Sequence, residues 1–247
     1  VMNNLANLYF HQAIYEKARP LYEFILYVYK KQGLKHRGAF DTLERLALLH
    51  MTIGQYEKAE ALYQQVLSIK GKVLGADHQS TATTLNNLGG LYTRMGSYEK
   101  AEALYQQVLR IKAKVLGADH QSTAITIDNL TALYIHVGSY EKALQHSQRA
   151  VSILTKELGL DHIDTAISLD NLATLYAHQG SYEKAEKLSL LSLETFKKRL
   201  EPSHPHIAKN LINLGIFYAM QGLDKKSHSF LRRGIEIQLT SIQRVVP

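Results

Sequence analysis

The chain contains no cysteine. Disulfide frameworks, thiolate nucleophiles and thiolate metal sites are therefore excluded. Proline is scarce, at 4 of 247 residues, and glycine numbers 15, so long helices can run uninterrupted and strand-turn architectures are disfavoured. No apolar run approaches the roughly 20 residues that cross a bilayer, and no membrane partner is expected. The chain starts at Val1 without a charged leader and apolar stretch, so no secretory signal is read. It ends on the apolar Val245-Val246-Pro247, and both ends read as cuts in a longer protein. A cytoplasmic location is the expectation. No glycine-rich phosphate-binding fingerprint occurs.

What is present is a 45% hydrophobic composition, ample for a core, and 29 basic against 22 acidic residues, a net charge of +7. Such a balance suits nucleic acid, an anionic surface or an acidic peptide, and the placement of the charges decides between them. Internal repetition has to be sought before domains are counted. Residues 56–80 read YEKAEALYQQVLSIKGKVLGADHQS, and 98–122 differ from them only at Ser68/Arg110 and Gly71/Ala113. The interval from Tyr56 to Tyr98 recurs in both directions along the chain. Gly54, Gly96, Gly138, Gly180 and Gly222 form one column; His36, His78, His120, His162 and His204 another; Ala59, Ala101, Ala143 and Ala185 a third. Tyr92, Tyr134, Tyr176 and Tyr218 form a fourth, with His50 in the earlier position.

Each repeat predicts two helices. In LNNLGGLY (85–92) the apolar Leu85, Leu88, Leu91 and Tyr92 share one helical face. The column glycine then ends the helix in a left-handed conformation. The second helix carries Ala101, Leu104, Tyr105, Val108 and Ile111 as one stripe and stops at Leu116-Gly117. In the link Ala118-Asp119-His120, Asp or His can accept free N–H groups of the next first turn. Pro205 after His204 suits a first-turn position. Neither helix buries its stripe alone, and stacking the pairs gives a solenoid.

The spacing Leu85…Leu88-Gly89…Tyr92…Ala101…Tyr105…Val108 resembles the tetratricopeptide pattern. The 42-residue form, LNNL…Y…G-Y-EKAE…L-GADH, is similar to the repeats of kinesin light chains and of bacterial, especially cyanobacterial, arrays. The resemblance covers essentially the whole chain. It implies an all-α, right-handed superhelical solenoid of about six repeats, a single array over 1–247 divided near 1–35, 36–77, 78–119, 120–161, 162–203 and 204–247. Gln79 and Gln121 stand where the light chains usually have proline, and Glu44-Arg45 replaces Asn-Asn. The segment 230–247, FLRRGIEIQLTSIQRVVP, is similar to those leading into CHAT-type peptidase domains.

In that family the first helices line a concave groove. The resemblance places Asn4, Arg45, Asn87, Asn129, Asn171 and Asn213 at its central offset. An amide offers a donor and an acceptor together and can pair with a peptide backbone whatever the peptide's side chains. Helices pack roughly 8–10 Å apart and an extended strand rises about 3.3 Å per residue, so one asparagine serves about three peptide residues. The alternative is that each asparagine stitches neighbouring helices. Flanking offsets hold Asp41, Glu44, Asn86, Arg94, Asp128, His136, Asp170, His178 and Lys209, of mixed sign. Leu48, Ile125, Ile135, Ile167, Ile212 and Ile216 either form pockets for partner side chains or are buried between first helices.

The histidine column does not predict a metal, because its members lie a whole repeat apart and zinc needs ligands about 2 Å from one point. Asp119-His120 with Ser122 recurs once per repeat, as a turn does and a catalytic triad does not. No catalytic residue and no cofactor is expected. Lys70-Lys72, Arg110-Lys112-Lys114, Lys156 and Lys197-Lys198-Arg199 fall in last turns, where positive charge complements the helix dipole; no nucleic-acid partner is expected. The leading expectation is a scaffold for a peptide or protein ligand, with an acidic partner favoured by those lysines. A second is the sensor arm of a larger enzyme such as a CHAT-type peptidase, contacting its own C-terminal domain. A third is a light-chain-like cargo adaptor. Self-association is open, since uncapped arrays tend to it.

Overall fold

The computed structural model describes residues 2–33 and 37–243. His36 of the histidine column and residues 244–247 lie outside the described residues. Among the described residues every regular element is an α-helix: α1 (Met2–His11), α2 (Tyr15–Gln32), α3 (Arg37–Thr52), α4 (Tyr56–Val73), α5 (Gln79–Arg94), α6 (Tyr98–Val115), α7 (Gln121–His136), α8 (Tyr140–Leu158), α9 (Ile163–His178), α10 (Tyr182–Arg199), α11 (Pro205–Met220) and α12 (Asp224–Gln243). Each odd-numbered first helix packs on the even-numbered second helix that follows it. The pairs form two compact units, Val1–Ala118 with α1–α6 and Asp119–Pro247 with α7–α12.

The turn inside each pair is set by one glycine. Gly54, Gly96, Gly138, Gly180 and Gly222 all have φ between 72° and 77°, a region open to glycine at little cost. The next residue's N–H then reaches back to the column residue's carbonyl, as in Ser97 to Tyr92 at 2.9 Å and Ser139 to Tyr134 at 2.8 Å. This satisfies carbonyls that the helix end would otherwise leave free. In the first pair Ala13 takes the same position with φ 58°. Beyond the turn, Ala59, Ala101, Ala143 and Ala185 are fully buried, and their small size lets the two helices approach. A Cβ on Gly89 would lie 2.8 Å from the Tyr105 ring, which explains why that position of α5 carries no side chain.

The histidine column starts the first helices. His78, His120, His162 and His204 are extended N-cap residues. Their Nδ1 atoms accept the backbone N–H of Ser80 and Ser122 at 3.0 Å and of Asp164 and His206 at 3.2 Å. Nδ1 accepts only while unprotonated, so the imidazole is held in one tautomer. The cap is thus histidine, and the preceding aspartates do other work: Asp77 pairs with Lys114 at 2.8 Å, Asp119 with Lys156 at 3.9 Å, and Asp161 with Lys198 at 3.6 Å. These pairs are exposed and contribute little.

Successive first helices are joined by a buried polar row. In the first unit the Thr84 hydroxyl donates to Glu44, and the fully buried Lys70 Nζ donates to Glu44 at 3.0 Å, to Thr84 at 3.0 Å and to the Ser80 carbonyl at 3.1 Å. In the second unit Ser168 donates to Asp128 at 2.9 Å, and Asn210 donates to Asp170 at 2.7 Å. Donor and acceptor are 40 residues apart in all three.

Replacing His120 with Ala removes one cap and is expected to lower stability by about 0.5–2 kcal/mol. Urea denaturation followed by circular dichroism measures it; an unchanged midpoint would contradict the capping role.

Candidate functional site

The buried row leaves the adjacent side of each first helix uncovered. On α7 that side carries Ile125, Asn129, Ala132 and His136; on α9, Ile167, Asn171, Thr174 and His178; on α11, Lys209, Asn213, Ile216 and Met220, all exposed or half-buried. The intervals of four, three and four residues keep each set on one helical face. In the first unit the same offsets are Asp41, Arg45, Leu48 and Thr52 on α3, and Thr83, Asn87, Gly90 and Arg94 on α5. On α1, Asn4 is exposed.

Ten of the eleven expected site residues therefore fall on these stripes: Asn4, Arg45, Asn87 and Arg94 in the first unit, and Asn129, Asn171, Asn213, His136, His178 and Lys209 in the second. Asn86 lies one position aside and is half-buried. The asparagines are not idle. Asn213 donates to Asp170 at 3.0 Å and Asn171 accepts from Lys209 at 3.4 Å. An amide has a donor pole and an acceptor pole, and each of these two uses one on the neighbouring helix. Arg45 lies beside the Tyr22 hydroxyl. His178 stacks on the Tyr140 ring at 5.5 Å. Ile125 and Ile216 are 42% and 45% exposed, whereas Ile167 packs onto the core of the second unit.

One expectation is corrected. Glu44, Asp128 and Asp170, expected to flank the groove, are tied into the polar row instead; Asp170 is only 3% exposed, and Glu44 and Asp128 are half-buried. Neighbouring helix positions differ by about 100°, which is enough to turn residue 170 inward while residue 171 stays at the surface. Burial pushes the Asp128 carboxyl up to about 7, with the nearby Asp164 charge acting in the same direction against the Ser168 hydrogen bond. Burial likewise raises Asp170, against Lys209 and its hydrogen bonds from Ser189, Asn210 and Asn213. With these carboxyls drawn in, the second unit's stripe presents Lys209 and two histidines and no carboxylate at its four offsets.

The column tyrosines are core. Tyr92, Tyr134 and Tyr218 are buried, and Tyr92 and Tyr218 donate to Glu60 at 2.7 Å and Glu186 at 2.6 Å on preceding second helices. Lys100, Lys142, Lys184 and Lys226 sit over the column rings at 5.0–5.4 Å, a contact of about 0.5–1 kcal/mol at exposed sites. Sequence reasoning missed this use of the lysine that stands third in α6, α8, α10 and α12. It also missed a cleft of 640 Å³ in the first unit, lined by Phe40, Asp41, Glu44, Val73, Leu74 and Gln79 among others, with Lys70 in its wall. Among the described residues no helix is long and apolar enough to cross a membrane.

The raised Asp128 carboxyl has a pH consequence. The folded state keeps its proton up to about pH 7, whereas the unfolded chain releases it near the ordinary value of about 3.9. Its contribution to stability is therefore present at low pH and lost as pH rises through about 7. Asp128→Asn is expected to raise the melting temperature at pH 8, with the gap narrowing as pH falls below about 7 and closing only near about pH 4, the unfolded value. A gap of constant size across that range would contradict the buried carboxyl.

The tetratricopeptide repeat model matches residues 1–72, 38–114, 80–156, 122–198 and 164–240. The structure of BtubC (BKLC) from P. vanneervenii is similar over 93% of this chain and 90% of that one, with 20% identity and a TM-score of 0.72. The nearly identical repeats of a putative kinesin light chain from Podosopora anserina are similar over 83% of this chain and 98% of theirs, with 26% identity and a TM-score of 0.66. RapI in its apo form is similar over 89% of this chain and 59% of that one, with 20% identity and a TM-score of 0.64. A comparison with curated proteins found no match. Helix pairs repeated at a near-constant interval, all but the first turned by a left-handed glycine and most opened by a histidine cap, agree with these matches, and the chain belongs to the tetratricopeptide repeat family in its kinesin-light-chain-like form.

Proposed function

We propose that the chain is a protein–protein interaction scaffold, and that the uncovered stripe of the first helices holds an extended peptide or protein segment. One observation carries this reading. Each first helix of the second unit repeats an amide-bearing stripe, at Asn129, Asn171 and Asn213, while Asp128 and Asp170 beside it are tied into the stack. The second unit is the better candidate. Asn129, Asn171 and Asn213 would pair with the ligand backbone, and Ile125, Ile216 and Met220 would contact its apolar side chains. Lys209, with His136 and His178 when protonated, favours acidic side chains on the ligand. In the first unit Asn4, Arg45, Asn87 and Arg94 occupy the equivalent stripe. The family fold supports a binding role over a catalytic one. The residues of the stripe recur with the repeat, as a binding surface does and a single catalytic centre does not.

The test is a displayed random-peptide library panned against the chain, with the Asn129→Ala/Asn171→Ala variant alongside. Enriched peptides are expected to lose at least about tenfold in affinity on the variant, or about 1.4 kcal/mol, at unchanged helicity. Equal affinity would refute the backbone clamp, and no enrichment at all would refute the peptide-binding reading.

A further inference from the structure

The cleft of the first unit is built by α3, α4 and the start of α5, and two of its lining residues, Asp41 and Thr83, also belong to the uncovered stripe. It is therefore continuous with that stripe. Its volume of 640 Å³ falls within the range of about 300–1,000 Å³ usual for ligand pockets. Three charged side chains line it, Asp41, Glu44 and Lys70. Lys70 is committed. An ammonium has three N–H donors, and Lys70 spends them on Glu44 and Thr84 at 3.0 Å and on the Ser80 carbonyl at 3.1 Å. At 1% exposure it has none to offer an anion, which would also meet two carboxylates.

The acceptors are less committed. Glu44 receives both Lys70 and Thr84 on Oε1, and its Oε2 has no hydrogen-bond partner among the described residues. Asp41 is exposed and holds no ion pair or hydrogen bond among them. Arg45, one turn further on, turns to the Tyr22 hydroxyl instead. Gln79 shows the same pattern. At its offset in the next repeat, Gln121 donates to Asp164 at 2.7 Å. Ser122 stands where Gln79 would need that carboxylate, and the Gln79 side-chain amide has no partner among the described residues. Beside these acceptors Val73 and Leu74, 42% and 38% exposed, give the cleft an apolar lining.

We infer that the cleft takes an arginine side chain of the bound segment, its guanidinium on Asp41, Glu44 Oε2 and the Gln79 carbonyl and its stem on Val73 and Leu74. A guanidinium carries five N–H donors in a planar fork suited to carboxylates, and its methylenes cover apolar surface. The preference belongs to the first unit: at the Asp41 offset the second unit has Ile125, Ile167 and Lys209. The inference rests on the peptide-binding reading for making that guanidinium part of a ligand segment.

Titration of Nα-acetyl-L-arginine methylamide into the isotope-labelled full chain, followed by NMR, tests this. A single capped residue gives the asparagine stripe no extended backbone to hold. The amide signals of Asp41, Glu44, Gln79 and Thr83 are expected to move and saturate, with a dissociation constant on the order of 1 mM. The citrulline counterpart has the same shape without the charge and is expected to bind about fivefold more weakly or worse. Asp41→Asn alters an exposed side chain, keeps the spectrum of the fold, and is expected to weaken the arginine probe about threefold or more. Citrulline binding as well as arginine overturns the inference, as does undiminished binding to Asp41→Asn. Shifts scattered over the carboxylates of both units, or no shifts, also overturn it. A peptide library that enriches nothing refutes the peptide-binding reading and leaves this titration unchanged, whereas a silent titration beside enriched peptides refutes the cleft alone.

Discussion

A buried hydrogen bond between first helices recurs through this molecule, from Thr84 to Glu44 and from Ser168 to Asp128, and again from Asn210 to Asp170. Helix pairs in a stack could slide or roll against one another if only leucine met leucine, because hydrophobic contact is non-directional. A polar pair in the same place has a defined length and angle, and left unpaired it carries a desolvation penalty of about 1–3 kcal/mol. Its recurrence gives the three steps from α3 to α5, α7 to α9 and α9 to α11 the same register. The uncovered stripe is the other consequence, because a helix that turns residue 170 into the stack must hold 171, 174 and 178 at or near its surface.

The polar row is not uniform, and its variation matters. In the first unit Lys70 completes it with three hydrogen bonds; in the second unit the corresponding carboxyls are relieved by hydroxyl and amide donors without a buried cation at that offset, where Leu154 and Phe196 stand instead. A carboxyl so placed holds its proton more tightly, as Asp128 and Asp170 do. Lys112, at the Lys70 offset on α6, is pushed down to about 8 by burial. Repeats close to identical in sequence therefore differ in their electrostatics.

Much of this was legible in the sequence because a constant repeat period acts like an alignment within one chain. The glycine column marked the turns, and its left-handed φ angles follow from the residue type. The histidine column marked the helix starts, although the sequence left aspartate and histidine as equal candidates for the cap. The side of the helix was harder to read. Residues 170 and 171 are adjacent in the chain and both polar, and which of them points inward depends on the direction from which the next first helix approaches. A usable signal was present. Glu44 with Thr84, Asp128 with Ser168 and Asp170 with Asn210 are acceptor and donor pairs at one shared separation, just short of the repeat period. The cation–π contacts and the cleft beside Lys70 depend on rotamers and on packing between three helices, which no columnar pattern encodes.

The central claim is that the polar row fixes the step of the stack. A double-mutant cycle of Asp170→Ala and Asn210→Ala, measured by urea denaturation, tests it most directly. A coupling energy of about 1 kcal/mol or more is expected, within the usual range of about 0.5–3 kcal/mol for residues in one hydrogen-bonded network. Additivity of the two single substitutions within about 0.3 kcal/mol would contradict the claim.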